Sequence, residues 1–357
     1  MPDSQPTQDQ QLAIGVSRLR EHMLNHAELI FRRILAAAPD HAQARRYLGV
    51  TLCKLGRRDE GLALLQAPDA QADLEAALHG GPFSTDQAEH GFKVIDYPYR
   101  SSVRYGSGRP SHPELAGLIG AGAARYRDLL DDLAAIAADF DDIPLGGAYD
   151  TPTPFWLNAW FPPLDGMVLT QMLRAHDPAR FVEIGSGTST KFARRAVARY
   201  GLRTRLTSID PQPRSEIDAL CDEVIRRPLE DCGTAMFEAL APGDILFLDS
   251  SHRSFQGSDV TAFFLDILPR LRPGVIVQVH DVYLPDDYIS GHVGRLWNEQ
   301  YLLATALLFG REAFEILFPC WYVHRDSDLA AHARARLAQG PRRTLNLYGA
   351  SFWFRKT

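Results

Sequence analysis

The sequence predicts an α/β fold: a doubly wound, mostly parallel sheet of seven strands, preceded by a small all-α domain. Three observations predict it. From Leu164 onward, short runs of apolar and β-branched residues alternate with longer amphipathic stretches, as crossover helices between parallel strands require. Three of those runs end in an acid, at Asp210, Asp249 and Asp281. The first run, Phe181, Val182 and Ile184, passes directly into Gly185-Ser-Gly187 and then into the small hydroxyl residues Thr188, Ser189 and Thr190. A buried strand, a tight glycine turn and a helix start with free N–H groups together make a cradle for a nucleotide.

The chain has 357 residues, room for two domains or for one domain with an appendage. It is 45% hydrophobic and 23% charged, ordinary values for a soluble globular protein. A net charge of -6 excludes a general nucleic-acid binder, which needs clustered Lys and Arg. Cys53, Cys221, Cys232 and Cys320 are scattered, with no Cys-x-x-Cys pair, so neither a disulfide framework nor a zinc site is expected. The N-terminus lacks the basic and apolar runs of a signal peptide, and no apolar stretch is long enough to span a membrane. A cytoplasmic protein is expected.

Taken in order, residues 11–80 read as a helical domain. Leu12, Leu19, Met23, Leu29, Ile30, Ile34, Leu48, Leu52, Leu55, Leu62, Leu64 and Leu65 recur at helical spacing. Ala27 and Gly61 stand 34 residues apart at matching small positions, and the segment is similar to tetratricopeptide repeats. A plain helical bundle is the alternative. Either could bind a protein partner or help two protomers form a homodimer. Residues 81–154 read as a linker and helical lid. Gly80-Gly-Pro82, Tyr97-Pro-Tyr99 and Gly106-Ser-Gly-Arg-Pro110 are turn formers, and residues 113–143 form a helix or helix pair. The acids at 139–142 read as a solvated helix terminus. Residues 155–357 are the sheet domain. The aromatic and proline-rich stretch 151–163, with Trp156, Trp160 and Phe161, either covers a binding cleft or packs in the core.

Within the sheet domain, strands are expected at 206–210, 222–226, 244–249 and 274–281. Residues 314–318 with 321–323 suggest a sixth, and 351–354 a seventh that alternates like an edge strand. Two details select the nucleotide. Thr190 stands where a dinucleotide fold wants a third glycine. Glu183, inside the turn, repels a pyrophosphate but can pair with the cationic amino-acid end of S-adenosylmethionine. Asp210, 27 residues beyond Glu183, can accept the ribose hydroxyls, and Leu229 would lie beside the adenine.

Glu183-Ile-Gly-Ser-Gly-Thr-Ser-Thr190 resembles motif I of the class I S-adenosylmethionine-dependent methyltransferases. Leu248-Asp-Ser-Ser-His252 with Phe255 and Asp259 resembles a bacterial family of these enzymes, related to small-molecule and sugar O-methyltransferases, that carries Asp-x-x-His. Residues 279–287, 297–302 and 348–354 are similar to the same family, so the resemblance spans roughly 155–357. It implies a Rossmann-like sheet ending in an antiparallel hairpin, one strand inserted beside the other. It also implies S-adenosylmethionine as cofactor, held by Glu183, Gly185, Ser186, Gly187, Thr188, Ser189, Asp210, Leu229, Asp249 and Ser250. Catechol-type relatives hold Mg²⁺ with an Asp after strand four and an Asp-Asn pair after strand five. Asp249, His280 and Asp281 fall at those positions, and the imidazole moves the preference toward Mn, Fe or Zn. The metal-free version makes His252 or His280 a general base oriented by Asp249 or Asp281.

The sequence therefore leads to a methyltransferase, with His252, His280 and Asp281 as catalytic residues. Its acceptor is a hydroxyl oxygen of a small molecule or saccharide, because a hydroxyl needs a base that an unprotonated amine does not. An NAD-dependent oxidoreductase and a catalytically inactive, repeat-bearing interaction protein are the competing readings. Neither nucleic acid nor membrane is expected as a partner.

Overall fold

The computed structural model describes residues 8–20, 23–55, 57–64, 101–213 and 217–357. Expectations on 65–100, which hold the end of the helical domain and most of the linker, lie outside the described residues. The described chain separates into two compact units.

Among the described residues the first unit contains four helices, α1 (Gln8–Arg20), α2 (Leu24–Ala37), α3 (Ala42–Lys54) and α4 (Arg58–Leu64), each packed on the next. In α2 the buried residues Ala27, Phe31 and Ile34 recur at helical spacing and make one apolar stripe. They meet Leu19, Ala44, Leu48, Val50 and Leu52 in a shared core. The helices approach closely at glycines. A Cβ on Gly61 would lie 2.6 Å from the Gly49 carbonyl oxygen, and one on Gly15 would lie 2.5 Å from the Phe31 ring.

The second unit holds residues 102–156 and 161–357. Its sheet has seven strands: β1 (Arg180–Ile184), β2 (Arg205–Ile209), β3 (Glu223–Ile225), β4 (Ile245–Leu248), β5 (Ile276–Val279), β6 (Phe314–Pro319) and β7 (Phe352–Lys356). Their spatial order is β3-β2-β1-β4-β5-β7-β6. The first five are parallel, and β7 pairs antiparallel with both β5 and β6. The order therefore reverses between β1 and β4, where the carboxyl ends of two neighbouring strands open a crevice. The fold is Rossmann-like α/β with an antiparallel terminal pair, as the methyltransferase resemblance implied. Four buried apolar residues in β4, Ile245 to Leu248, show why: a strand covered by helices on both faces carries no polar alternation.

Two strand assignments need correction. Residues 351–354 were expected to behave as an edge strand, but β7 lies between β5 and β6, and Phe352, Trp353 and Phe354 are fully buried. The edge is β6. Trp321-Tyr-Val does not extend the sixth strand; it is helical, within Cys320–Arg325. That helix and a second one, Ser327–Leu337, connect β6 to β7.

The expected helix pair over 113–143 is present as Pro113–Gly120 and Ala123–Ala135. The acids that follow are ion-paired rather than simply solvated: Asp139 with Arg199, Asp142 with Arg195, and Asp141 with Arg342. The turn at 106–110 belongs to a strap tied to the loop after β5. Asp287 accepts from the N–H groups of Arg104 and Tyr105, and Asp286 from the Ser111 hydroxyl. None of the four cysteines forms a disulfide. Among the described residues no helix is long and apolar enough to cross a membrane.

Candidate active site

The glycine turn leaves β1 at the reversal point. Gly185 has φ +77°, and a Cβ there would lie 1.7 Å from the Asp249 carbonyl oxygen. The close approach at this glycine is made by the chain itself. Around Gly187 the space is open, with nothing within 4 Å of a Cβ. The Ser186 N–H donates to Asp210 Oδ2 at 2.8 Å, and the Gln212 N–H to Oδ1 at 2.8 Å, so the acid ending β2 also fastens the turn. The hydroxyls of Thr188 and Ser250 are buried in this cradle without a hydrogen-bond partner. Leu229, beyond β3, is buried in a short 3-10 turn.

Glu183 lies beneath the turn, 1% exposed. Ser189 Oγ donates to its Oε1 at 2.5 Å, and Thr190 Oγ1 donates to Oε2. Thr190 Oγ1 also accepts from the Gly187 N–H at 3.0 Å. The residue found where a dinucleotide fold keeps glycine thus binds the acid to the turn. Burial raises the Glu183 carboxyl to about 8 against the pull of those two hydroxyls.

Asp249 and His280 follow β4 and β5 directly, and His252 and Asp281 come from the turns beyond. His252 Nε2 lies 3.4 Å from Asp249 Oδ1 and 3.6 Å from Asp281 Oδ2. His280 Nδ1 lies 3.5 Å from Asp249 Oδ1 and 3.9 Å from Asp281 Oδ2. Three of the expected residues, Asp249, His280 and Asp281, have ligand atoms within 4.8 Å of one another, close enough to hold one metal ion. His252 and Asp281 have φ of +62° and +53°, which for residues other than glycine stores on the order of 1–3 kcal/mol each. Burial alone would lower His252, but Glu299, Asp249 and Asp281 carry it up to about 10. His280 is likewise held well above its ordinary value by Asp249, Asp281 and Asp165, against burial. Burial would raise Asp249, yet the two imidazoles hold it well below the usual carboxylate range. The acids thus favour positive charge between them.

Besides Asp249 and Asp281, each imidazole has a further carboxylate on its outer nitrogen. Behind His252, Glu299 Oε1 faces Nδ1; behind His280, Asp165 Oδ2 faces Nε2 at 3.2 Å. Asp165 also accepts from the N–H groups of Ala350 at 2.8 Å and Ser351 at 2.9 Å. Neither acid stands out in sequence. Asp165 falls in the first turn of the helix Pro163–His176, where an acid ordinarily serves the helix dipole. Glu299 opens the helix Glu299–Phe309 in the same way. Full burial of a carboxylate is their mark, and one chain in isolation does not display it. In the aromatic stretch at 151–163, Trp156 and Phe161 are buried against Phe192, Trp160 is half-buried, and Phe161 also lies 5.2 Å from the His280 ring. On the other side, Trp297 lies 4.2 Å from the His252 ring.

A glycine turn at the sheet's reversal and an acid ending β2 define a cofactor-binding domain of the Rossmann-like class. Residues 182–282 match the family model for a methyltransferase domain. This span begins in β1, ends just past β5, and holds the turn together with Asp249, His252, His280 and Asp281. No curated protein matches the chain. Among solved structures, cofactor-bound Rv0187 from MTB is similar at 14% identity, covering 64% of this chain and 88% of its own, with a TM-score of 0.33. The SAH-bound Podospora anserina methyltransferase PaMTH1 is similar at 16% identity, covering 71% of this chain and 100% of its own, with a TM-score of 0.34.

Proposed function

We propose that this protein transfers a methyl group from S-adenosylmethionine to a hydroxyl oxygen of a small molecule or saccharide. One observation carries the reading: Asp249 belongs to both halves of the site. Its backbone carbonyl packs against Gly185 of the cradle, while its side chain faces both imidazoles. A cofactor seated in the cradle would have its reactive end beside groups able to activate a hydroxyl.

The residues fit such a cofactor. Asp210 has lone pairs left for ribose hydroxyls after serving Ser186 and Gln212. The buried hydroxyls of Thr188 and Ser250 need partners, and Gly187 leaves room for a ligand. Glu183, once ionised, supplies a negative charge that complements an ammonium group. S-adenosylmethionine would bring the methyl group on a cationic sulfur. The chain's own task is to hold the acceptor in line with that carbon, exclude water and draw off the hydroxyl proton at the His/Asp cluster or at a metal held there. The first unit reads as a tetratricopeptide-like module for a protein partner or a second protomer.

Calorimetric titration of the purified protein with S-adenosylmethionine and S-adenosylhomocysteine tests the reading. Binding of both, weakened by Asp210→Ala, is the expected outcome; absence of binding by the wild type sinks it.

A further inference from the structure

We infer that His252 is a fourth ligand, completing a two-histidine, two-aspartate site for a first-row transition-metal dication, and that Glu299 and Asp165 position its imidazoles. The use of such an ion rests on the methyl-transfer reading; its binding does not.

Four side-chain atoms converge from two neighbouring strand ends: Asp249 Oδ1, His252 Nε2, His280 Nδ1 and Asp281 Oδ2. The nitrogen–oxygen separations are 3.4, 3.5, 3.6 and 3.9 Å. Donors bound about 2.1 Å from a tetrahedral ion stand about 3.4 Å apart, so slight contraction of this set would close it around a metal. His280 Nδ1 is buried, has no hydrogen-bond partner and faces both aspartates. An acidic pair alone would not point to a metal; a buried imidazole nitrogen that makes no close hydrogen bond and faces two carboxylates does.

The outer nitrogens give a second indication. Glu299 faces Nδ1 of His252, and Asp165 faces Nε2 of His280. A ring that donates its N–H outward presents its lone pair inward, the arrangement found behind metal-bound histidines. Both carboxylates are buried, and Asp165 is itself fixed by two backbone N–H groups. Trp297 and Phe161 lie against the two imidazoles, which limits ring rotation. Two nitrogen donors select against Mg²⁺, which prefers six oxygens and keeps its waters, and in favour of ions such as Zn²⁺ or Co²⁺.

The test uses full-length protein stripped of metal, titrated separately with Zn²⁺, Co²⁺ and Mg²⁺. The wild type is expected to bind one Co²⁺ per chain, with the intense visible bands of four-coordinate cobalt, and to bind Zn²⁺ at least about 100-fold more tightly than Mg²⁺. Glu299→Gln and Asp165→Asn should each weaken Zn²⁺ by about 10–100-fold, and His252→Ala by more. S-adenosylhomocysteine binding, measured in parallel, should persist in all three; a purely structural defect would lower both affinities. Where His252→Ala fails to fold, His252→Gln replaces it. Where no histidine variant folds, the wild-type cobalt spectrum decides. The inference is overturned by absence of metal binding, by Mg²⁺ affinity equal to that of Zn²⁺, by a weak six-coordinate cobalt spectrum, or by Zn²⁺ affinity indifferent to His252 and Glu299. Failure of S-adenosylhomocysteine to bind the wild type overturns the methyl-transfer reading and leaves the metal result standing.

Discussion

The carbonyl oxygen of Asp249 occupies the space that a side chain on Gly185 would need, 1.7 Å from the ideal Cβ position. Gly185 and Gly187 therefore do different work, although in sequence they look like one motif. Gly185→Ala should be a folding mutation. The positive φ alone costs about 1–2 kcal/mol, and displacing β4 from β1 costs more. Gly187→Ala meets no atom and should change stability by no more than about 0.5 kcal/mol. It should nonetheless weaken S-adenosylhomocysteine, because the added methyl enters the cradle. Thermal denaturation and calorimetry on both variants check this; equal stability losses would contradict it.

Glu183 makes stability and affinity depend on pH with opposite signs. Its carboxyl is raised to about 8 in the folded protein, by burial first. An unfolded Glu releases its proton near 4.3, so over the interval between the two values the native state holds a proton that the unfolded chain has lost. The stabilising contribution is complete below that lower value and disappears as pH rises through about 8. The difference in unfolding free energy between wild type and Glu183→Gln should fall by a few kcal/mol between pH 5 and 9, at about 1.4 kcal/mol for each pH unit crossed in that interval. Cofactor affinity should move the other way. An ammonium prefers the ionised carboxylate, so wild-type binding should tighten from pH 6 to 8. It should slacken once the ligand's own α-amino group, near 7.7–8.0, is neutral. Glu183→Gln should lose the tightening. Unchanged slopes in the variant would rule the assignment out.

The parallel half of the sheet was legible because its cause is local. Short, largely apolar runs such as Ile245 to Leu248, with Gly185, Asp210 and Asp249 directly after β1, β2 and β4, read as buried strands from composition and order alone. The terminal strand was harder. Ser351-Phe-Trp-Phe-Arg-Lys356 contains a buried run and a charged end, and which of them decides depends on neighbours far away in sequence. The candidate site divides the same way. Asp249, His252, His280 and Asp281 announced themselves as polar residues at strand ends. Asp165 and Glu299 did not, because a carboxylate in a first helical turn has a commoner explanation than burial behind a histidine.

The position of β7 makes Trp353 a sharp test of the sheet order. Its ring is fully buried and meets Phe247 of β4 edge-on, with centroids 6.1 Å apart. Trp353→Ala should destabilise the protein by about 3–5 kcal/mol, the cost of emptying a large core site. A solvent-facing edge residue would cost no more than about 0.5 kcal/mol. Urea denaturation distinguishes the two.

Asp165 joins the C-terminal segment to the candidate site. One carboxylate serves the N–H groups of Ala350 and Ser351 and the outer nitrogen of His280. Asp165→Ala would leave three buried donors unsatisfied at about 1–3 kcal/mol each, so a loss of about 4 kcal/mol or more is expected. Asp165→Asn keeps one acceptor oxygen and should recover part of that stability. Full recovery by Asn would mean that neither the second oxygen nor the charge matters to folding.

Asp210 ends β2 with both oxygens already in use, Oδ2 by the Ser186 N–H and Oδ1 by the Gln212 N–H. Each oxygen has a further lone pair, and a carboxylate so anchored is pre-aimed at whatever lies over the turn. If that is a ribose, removing the acid should erase discrimination between S-adenosylhomocysteine and its 2′-deoxy analogue. A hydrogen bond to a charged acceptor contributes about 1.5–3 kcal/mol, so the wild type should favour the ribose form by about 10–100-fold. Asp210→Ala should bring the ratio close to one, whereas mere loosening of the turn would weaken both ligands and leave the ratio unchanged. Asp210→Asn should fall between, since one oxygen remains to accept. The ratio, rather than either affinity, therefore separates ribose recognition from support of the turn.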